Sequence, residues 1–256
     1  MKNLLILFLI TLLTSCSSLN KHVTYKIKDQ DFSGYFVKAK GEGKKPAIIV
    51  VHEWWGLNDY ARKRADMLSE LGYHAFALDM YGKGKRASHP KEAKAFAQET
   101  LKNPKLVKQK FDKVIEILKN DKDVDPDNIA AIGYCFGGGI VLNMARMGSD
   151  LKGVISYHGS LTPLKKAKRG QVKAKVLVFN GDKDGFVPKK DIRAFKREMR
   201  RAKVDYRFEN ITNAKHSFTN PIATEVGKKF GLPLEYNKEA DELSWRASIE
   251  FFDEIF

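Results

Sequence analysis

The sequence predicts an α/β fold: a mostly parallel central sheet flanked by helices on both faces, entered through an amino-terminal hairpin. Three observations predict it. From about residue 46 onward, short runs of β-branched and other apolar residues alternate with longer segments of helical spacing, the pattern of strand-helix-strand units. The run Pro46-Ala47-Ile48-Ile49-Val50-Val51 is apolar throughout, as a strand buried on both faces must be. Finally, Gly133-Tyr134-Cys135-Phe136-Gly137-Gly138-Gly139 joins an apolar run to a helical one through G-x-C-x-G, the cysteine form of the nucleophile elbow G-x-S-x-G.

The first residues precede this fold. Met1-Lys2-Asn3, an apolar run from Leu4 to Leu13 and then Thr14-Ser15-Cys16-Ser17-Ser18 read as a signal peptide over 1–15, too short for a stable membrane span. Leu13-Thr14-Ser15-Cys16 resembles the lipobox of bacterial lipoproteins. That resemblance implies acylation of Cys16, a tether over 16–21, and a chain exported and lipid-anchored to a bacterial membrane facing the periplasm. Ser17 after the cysteine resembles the pattern that sorts lipoproteins to the outer membrane. One domain is expected over 22–256, since no Pro/Gly/Ser-rich stretch divides it and no internal repeat is visible.

Within that domain the elements follow in order. Alternating apolar and polar residues over 22–28 and 32–38, around Lys28-Asp29-Gln30-Asp31, predict the hairpin. The apolar strand at 46–51 delivers His52-Glu53-Trp54-Trp55-Gly56-Leu57-Asn58 to the carboxyl edge of the sheet. Asn58 or Asp59 caps a helix to about Leu71, Gly72 ends it, and 73–79 returns as a strand. Helices over about 90–102 and 104–120 have Pro90 and Pro104 near their starts. The elbow strand is read at 127–132 and its helix at 136–147. Strands at 153–157, 175–179 and 204–209, and helices over about 189–202 and 236–255, complete the chain. Reactive groups of such a sheet collect in the crevice at the carboxyl ends of its strands.

Three of those ends carry a nucleophile, an acid and a histidine in chain order. Cys135 stands on the elbow, Asp182 and Asp184 follow the strand at 175–179, and His216 follows the last strand. This order is that of the α/β-hydrolase fold and differs from the orders on chymotrypsin and subtilisin folds. A histidine beside the thiol lowers the energy of making thiolate and returns a proton to the leaving group, while a carboxylate fixes its tautomer and steadies the imidazolium. With Cys16 assigned to the lipid anchor, Cys135 is the remaining thiol of two cysteines, so no internal disulfide is expected.

The chain resembles the dienelactone hydrolase family of α/β-hydrolases. The matching residues are 52–58, Asp79-Met80-Tyr81, Gly133-Tyr134-Cys135-Phe136-Gly137-Gly138, 184–188 and Ala214-Lys215-His216-Ser217-Phe218. The resemblance implies a triad of Cys135, Asp184 and His216, with the backbone N–H groups of Trp54 and Phe136 as oxyanion hole. It also implies that Glu53 sits beside the thiol and takes part in its activation, its charge opposing thiolate until substrate disturbs the arrangement. Members that act on dienelactone hold its carboxylate with two arginines, and those positions here read Lys83 and Asn220. A lysine is a point charge without the bidentate fork, and asparagine carries no charge. The resemblance therefore supports hydrolysis of a small-molecule ester, lactone or thioester and speaks against dienelactone itself. His52, Trp54, Trp55, Tyr81, Tyr134 and His158 are expected around the pocket.

Other chemistries find less support. His52-Glu53 lacks the second histidine of H-E-x-x-H and no Cys/His group has zinc spacing, so no metal is expected. Gly137-Gly138-Gly139 lacks the lysine of a P-loop and the fingerprint of a dinucleotide site, so no cofactor is expected. The formal charge of +15 comes from lysines and arginines spread over many segments, with clusters at 83–86, 165–169 and 193–201. Such a surface favours anionic neighbours in general, while the export signal disfavours nucleic acid. A second function class remains: a non-catalytic, lipid-anchored envelope binding protein on a hydrolase fold. Loss of aryl-ester hydrolysis on replacing Cys135 separates the two.

Overall fold

The structure, a computed structural model, describes residues 21–256. The signal peptide expected over 1–15 and the acylation expected at Cys16 lie outside the described residues. In chain order the elements are β1 (His22–Ile27), β2 (Gln30–Val37), β3 (Lys45–Val51), α1 (Asp59–Glu70), β4 (His74–Leu78), α2 (Pro90–Leu101), α3 (Pro104–Lys119) and β5 (Val124–Tyr134). There follow α4 (Phe136–Arg146), β6 (Gly153–Tyr157), β7 (Lys175–Gly181), α5 (Lys189–Ala202), β8 (Tyr206–Ile211), α6 (Ala223–Phe230) and α7 (Lys238–Ile255). One eight-stranded sheet runs β1-β2-β4-β3-β5-β6-β7-β8. The β1–β2 and β2–β4 pairings are antiparallel and the rest parallel, which is the expected α/β-hydrolase arrangement with its hairpin at one edge.

Side-chain alternation along the central strands makes two cores. In β3, Ile49 and Val51 pack with α3, α4 and α5, whereas Ile48 and Val50 face α1 and α7 on the other side. Both faces are thus covered, as a parallel sheet requires. Phe111 of α3 is fully buried in the first core, and truncating such a ring to Ala costs about 3–5 kcal/mol.

Some boundaries differ from those predicted, each for a local reason. The last strand begins at Tyr206 rather than 204 because Lys203 is left-handed (φ 55°) and the Val204 N–H donates to the Met199 carbonyl, which makes both part of the helix end. Helix α6 was not expected. It spans eight residues, follows Pro221 and contains Gly227, so its helical signal is weak. It nevertheless matters, because it carries the chain from the histidine loop to Leu234.

Candidate active site

At the end of β5 the backbone turns so tightly that Cys135 takes φ 53° and ψ −113°, a strained conformation for a side-chain-bearing residue. Glycine is a steric necessity around it. A Cβ on Gly137 would lie 2.2 Å from the Val51 carbonyl oxygen, and one on Gly133 would lie 2.1 Å from that of Gly137. The Cys135 N–H is held by the Tyr157 carbonyl (3.0 Å) and by His158 Nδ1 (3.1 Å). Its thiol is half-buried and stands at the mouth of α4.

His216, on the loop after β8, is buried and its Nδ1 donates to Asp184 Oδ2 at 2.8 Å. The Cys135 side chain shares a cavity wall with His216 and stands near enough for its charge to stabilise the imidazolium. Burial alone would push the imidazolium down, but the Cys135 charge and the hydrogen bond to Asp184 outweigh it and hold His216 up at about 10. Asp184 Oδ1 accepts the Phe186 N–H at 2.8 Å, so both carboxylate oxygens are engaged. Asp182, the rival acid, is exposed, because β7 runs on to Gly181 and turns it outward.

Cys135, His216, Trp54 and Phe136 line one cavity of about 270 Å³. The rest of its wall is Ala97 and Leu101 from α2, Phe186 and Val187 from the loop before α5, Ser160, and Leu234. Among the described residues, neither the Trp54 nor the Phe136 N–H donates a hydrogen bond. Tyr81 lies behind this wall: its hydroxyl donates to the Trp54 carbonyl (3.0 Å) and its ring packs on Phe136.

Several expected residues stand elsewhere, and these are corrections. Glu53 does not turn to the thiol. Its Oε1 accepts from Ser217 Oγ (2.8 Å) and its Oε2 from Asn220 Nδ2 (2.7 Å), so Asn220 anchors this carboxylate instead of a substrate. Burial raises the Glu53 pKa, while these two hydrogen bonds and the charges of His216 and Arg64 oppose the rise. Glu53, Trp55 and Asn220 line a second cavity of about 280 Å³, together with Arg86, Lys229 and Phe230, and Leu234 walls both. Lys83 opens onto a third, beside Asp79 and Arg62. Tyr134 shares the face of Ile132 and stacks on Tyr157 in the core under α1 and α7, away from the cavity. His52 is fully buried, and its Nε2 accepts the Met80 N–H (3.2 Å).

Sequence reasoning also missed a buried chain behind the elbow. His158 Nδ1 accepts from Cys135, so Nε2 carries the proton and donates to Thr219 Oγ1 (2.8 Å), which Tyr60 also reaches (2.7 Å). Burial, with the charges of His216 and Arg64, holds His158 well below the ordinary histidine value, so it is a neutral neighbour whose ring centre lies 5.1 Å from that of His216.

Comparison with known proteins shows the family. The sequence model of the dienelactone hydrolase family matches residues 32–256. The chain belongs to the dienelactone hydrolase family. It is similar to a crystal structure described as a dienelactone hydrolase-like promiscuous phosphotriesterase from metagenomic libraries, with TM-score 0.85 and 32% identity, covering 92% of this chain and 97% of that one. A putative carboxymethylenebutenolidase of Aquifex aeolicus is 25% identical over 223 residues, 86% of this chain and 91% of the relative. A probable 2-oxo-3-(5-oxofuran-2-ylidene)propanoate lactonase of Bradyrhizobium is 26% identical over 195 residues, 72% and 77% of the two chains. As a member of this family, the protein is an ester or lactone hydrolase.

Proposed function

We propose that the protein cleaves carboxylic esters, lactones or thioesters through a Cys135–His216–Asp184 triad and a covalent acyl-enzyme. The observation that carries this reading is His216, hydrogen-bonded to Asp184 at 2.8 Å and sharing one cavity wall with Cys135 on its strained elbow. The thiolate attacks the acyl carbon, forming an S–C bond while the carbonyl π pair moves onto oxygen. The unused N–H groups of Trp54 and Phe136 receive that oxyanion. Its collapse breaks the bond to the leaving oxygen or sulfur, which takes the proton from His216. Water, deprotonated by the now neutral His216, then attacks the acyl-enzyme and expels the thiolate, restoring the ion pair. One water is consumed, and one acid with one alcohol or thiol is produced. In a lactone the two products are parts of one molecule.

The lactonase and butenolidase relatives favour a cyclic or simple carboxylic ester as substrate. Iodoacetamide labelling followed by intact-mass analysis tests the nucleophile: modification of Cys135 and loss of aryl-ester hydrolysis should advance together. Full activity after complete alkylation of Cys135 would sink the proposal.

The lipobox-like Leu13-Thr14-Ser15-Cys16 supports a second part of the reading, that acylated Cys16 anchors the enzyme to a bacterial membrane facing the periplasm, with Ser17 favouring the outer membrane. Cys16→Ser should release the protein into the soluble fraction. Equal membrane retention and equal processing of that variant would exclude the anchor.

A further inference from the structure

Resting on the hydrolase reading, the acyl side of the substrate can be read from the wall of the cavity at Cys135. Ala97, Leu101, Phe186, Val187, Leu234 and Trp54 face it, and among the described residues the polar side-chain groups besides the reacting pair are Ser160 and the Trp54 indole N–H. Among the described residues, no lysine or arginine lines it. The two positions that could have supplied a carboxylate anchor are both withdrawn: Lys83 opens onto a different cavity, and the Asn220 amide is spent on Glu53 at 2.7 Å. Lys85 is also withdrawn, its ammonium lying 4.3 Å from the centre of the Phe96 ring. Among the described residues, the one group lining the cavity that can carry positive charge is His216, already hydrogen-bonded to Asp184 and standing beside Cys135. A substrate carboxylate drawn to it would compete with the thiolate, so its binding would be unproductive. Elsewhere in the cavity such a carboxylate would lose its hydration and find no partner.

We infer that this cavity takes an uncharged, apolar acyl group, and that the enzyme discriminates against esters whose acyl part carries a carboxylate. At about 270 Å³ the cavity lies at the small end of ligand sites, so the acyl group is a short alkyl or a single ring. Phe186, 47% exposed with its ring centre 4.8 Å from that of His216, marks the side on which the cavity opens to solvent. The cations closest in kind to an anion site, Arg86 and Lys229, lie in the second cavity beyond Leu234 and cannot serve the acyl side.

The test compares three 4-nitrophenyl esters on the purified full chain, each corrected for uncatalysed hydrolysis: the butyrate, the succinate monoester and the methyl-capped succinate, which separates charge from size. The butyrate and the capped ester should exceed the charged one in kcat/KM by about a hundredfold. Leu101→Arg, which brings a cation to the half-buried wall, should narrow that ratio by about tenfold, while Leu101→Met should leave it. Ala97→Lys, at the other lining position on α2, is the second variant should Leu101→Arg fold poorly. Equal rates on charged and uncharged esters by the wild type would overturn the inference while leaving the hydrolase reading intact. So would an unchanged ratio in both folded cationic variants. If no ester of either charge is cleaved, the proposed hydrolysis itself falls and takes the inference with it.

Discussion

The two cavities that meet at Leu234 are nearly equal in size, about 270 and 280 Å³, and opposite in chemistry. One is apolar and holds a thiol and a histidine whose protonated form its neighbours favour. The other holds a buried carboxylate, two cations and an aromatic floor. His216 and Ser217 are consecutive residues, yet each serves a different cavity, and the left-handed φ of 59° at Ser217 is part of the turn that separates them. The difference teaches that two carboxylates, both buried, can have unrelated tasks. Asp184 is spent on the histidine, and Glu53 on Ser217 and Asn220.

The largest expected effect breaks this comparison outright if it fails. Cys135→Ala should lower aryl-ester kcat/KM by at least about ten-thousandfold. Arg86→Ala, in the other cavity, should leave the same constant within about threefold for an uncharged ester, because its guanidinium does not line the acyl side. Comparable losses in the two variants would mean that the cavities work as one site.

Next in size is the ion pair. Asp184→Asn should cost about a hundredfold to a thousandfold, less than in a serine enzyme because a thiol ionises more readily than a hydroxyl. NMR of the His216 ring should show it titrating at about 10 in the wild type and falling back toward 6.5 once Cys135 is alkylated, because the Cys135 charge is the chief contribution opposing burial. The folded-state value of His216 is raised, so its own contribution to stability is complete below about 6.5 and disappears as pH climbs through about 10. A histidine that titrates alike before and after alkylation would uncouple the two groups.

His158 gives a smaller effect, mainly on structure. His158→Phe removes the acceptor that shares the Cys135 N–H and the donor to Thr219. With the Tyr157 carbonyl still holding that N–H, unfolding should become easier by about 1–3 kcal/mol, a Tm lower by about 3–9 °C. Activity should fall by about tenfold, through a less firmly held elbow. An unchanged Tm with a large kcat loss would instead make His158 part of the chemistry.

Much of the fold was legible in the sequence because the central strands are continuous apolar runs, and the elbow because its glycines answer to backbone contacts of 2.1–2.2 Å. The choice between Asp182 and Asp184 rested on resemblance alone; physically it is settled by how far β7 runs before it turns. Of the aromatic candidates for the pocket, Trp54 lines it while Tyr81 and Tyr134 pack elsewhere, as aromatic residues at strand ends more often do, and for Tyr134 the signal was available. Along β5 side chains alternate, so Tyr134 must share the face of Ile132 rather than that of Ala131. No such rule governs the residues after β3, where the chain leaves the sheet. Their directions depend on Ser217, Asn220 and Tyr81, which approach from distant segments. Leu234 could not be foreseen, since it reaches His216 through an isolated bridge beyond a helix with little sequence signal.

The smallest expected effect decides between two signs. A carboxylate facing the thiol would oppose its ionisation, so Glu53→Gln would raise the thiolate fraction and speed alkylation at neutral pH. In the structure Glu53 instead faces Ser217 and Asn220, and the charge it is coupled to at the site is that of His216. Removing the negative charge then makes the imidazolium slightly less favourable, and with it the thiolate that the imidazolium supports. Alkylation of Cys135 at pH 7 should accordingly slow in Glu53→Gln, by about twofold to threefold. The amide keeps the shape and can keep both hydrogen bonds, its oxygen accepting from Asn220 Nδ2 and its N–H donating to Ser217 Oγ, since a hydroxyl accepts as well as donates. A double variant, Glu53→Gln with Asn220→Asp, exchanges amide and carboxylate between the two positions and returns the lost charge to the same cavity. It should recover most of the alkylation rate. Faster alkylation in Glu53→Gln would show that the carboxylate turns to the thiol in solution and that the two cavities exchange it.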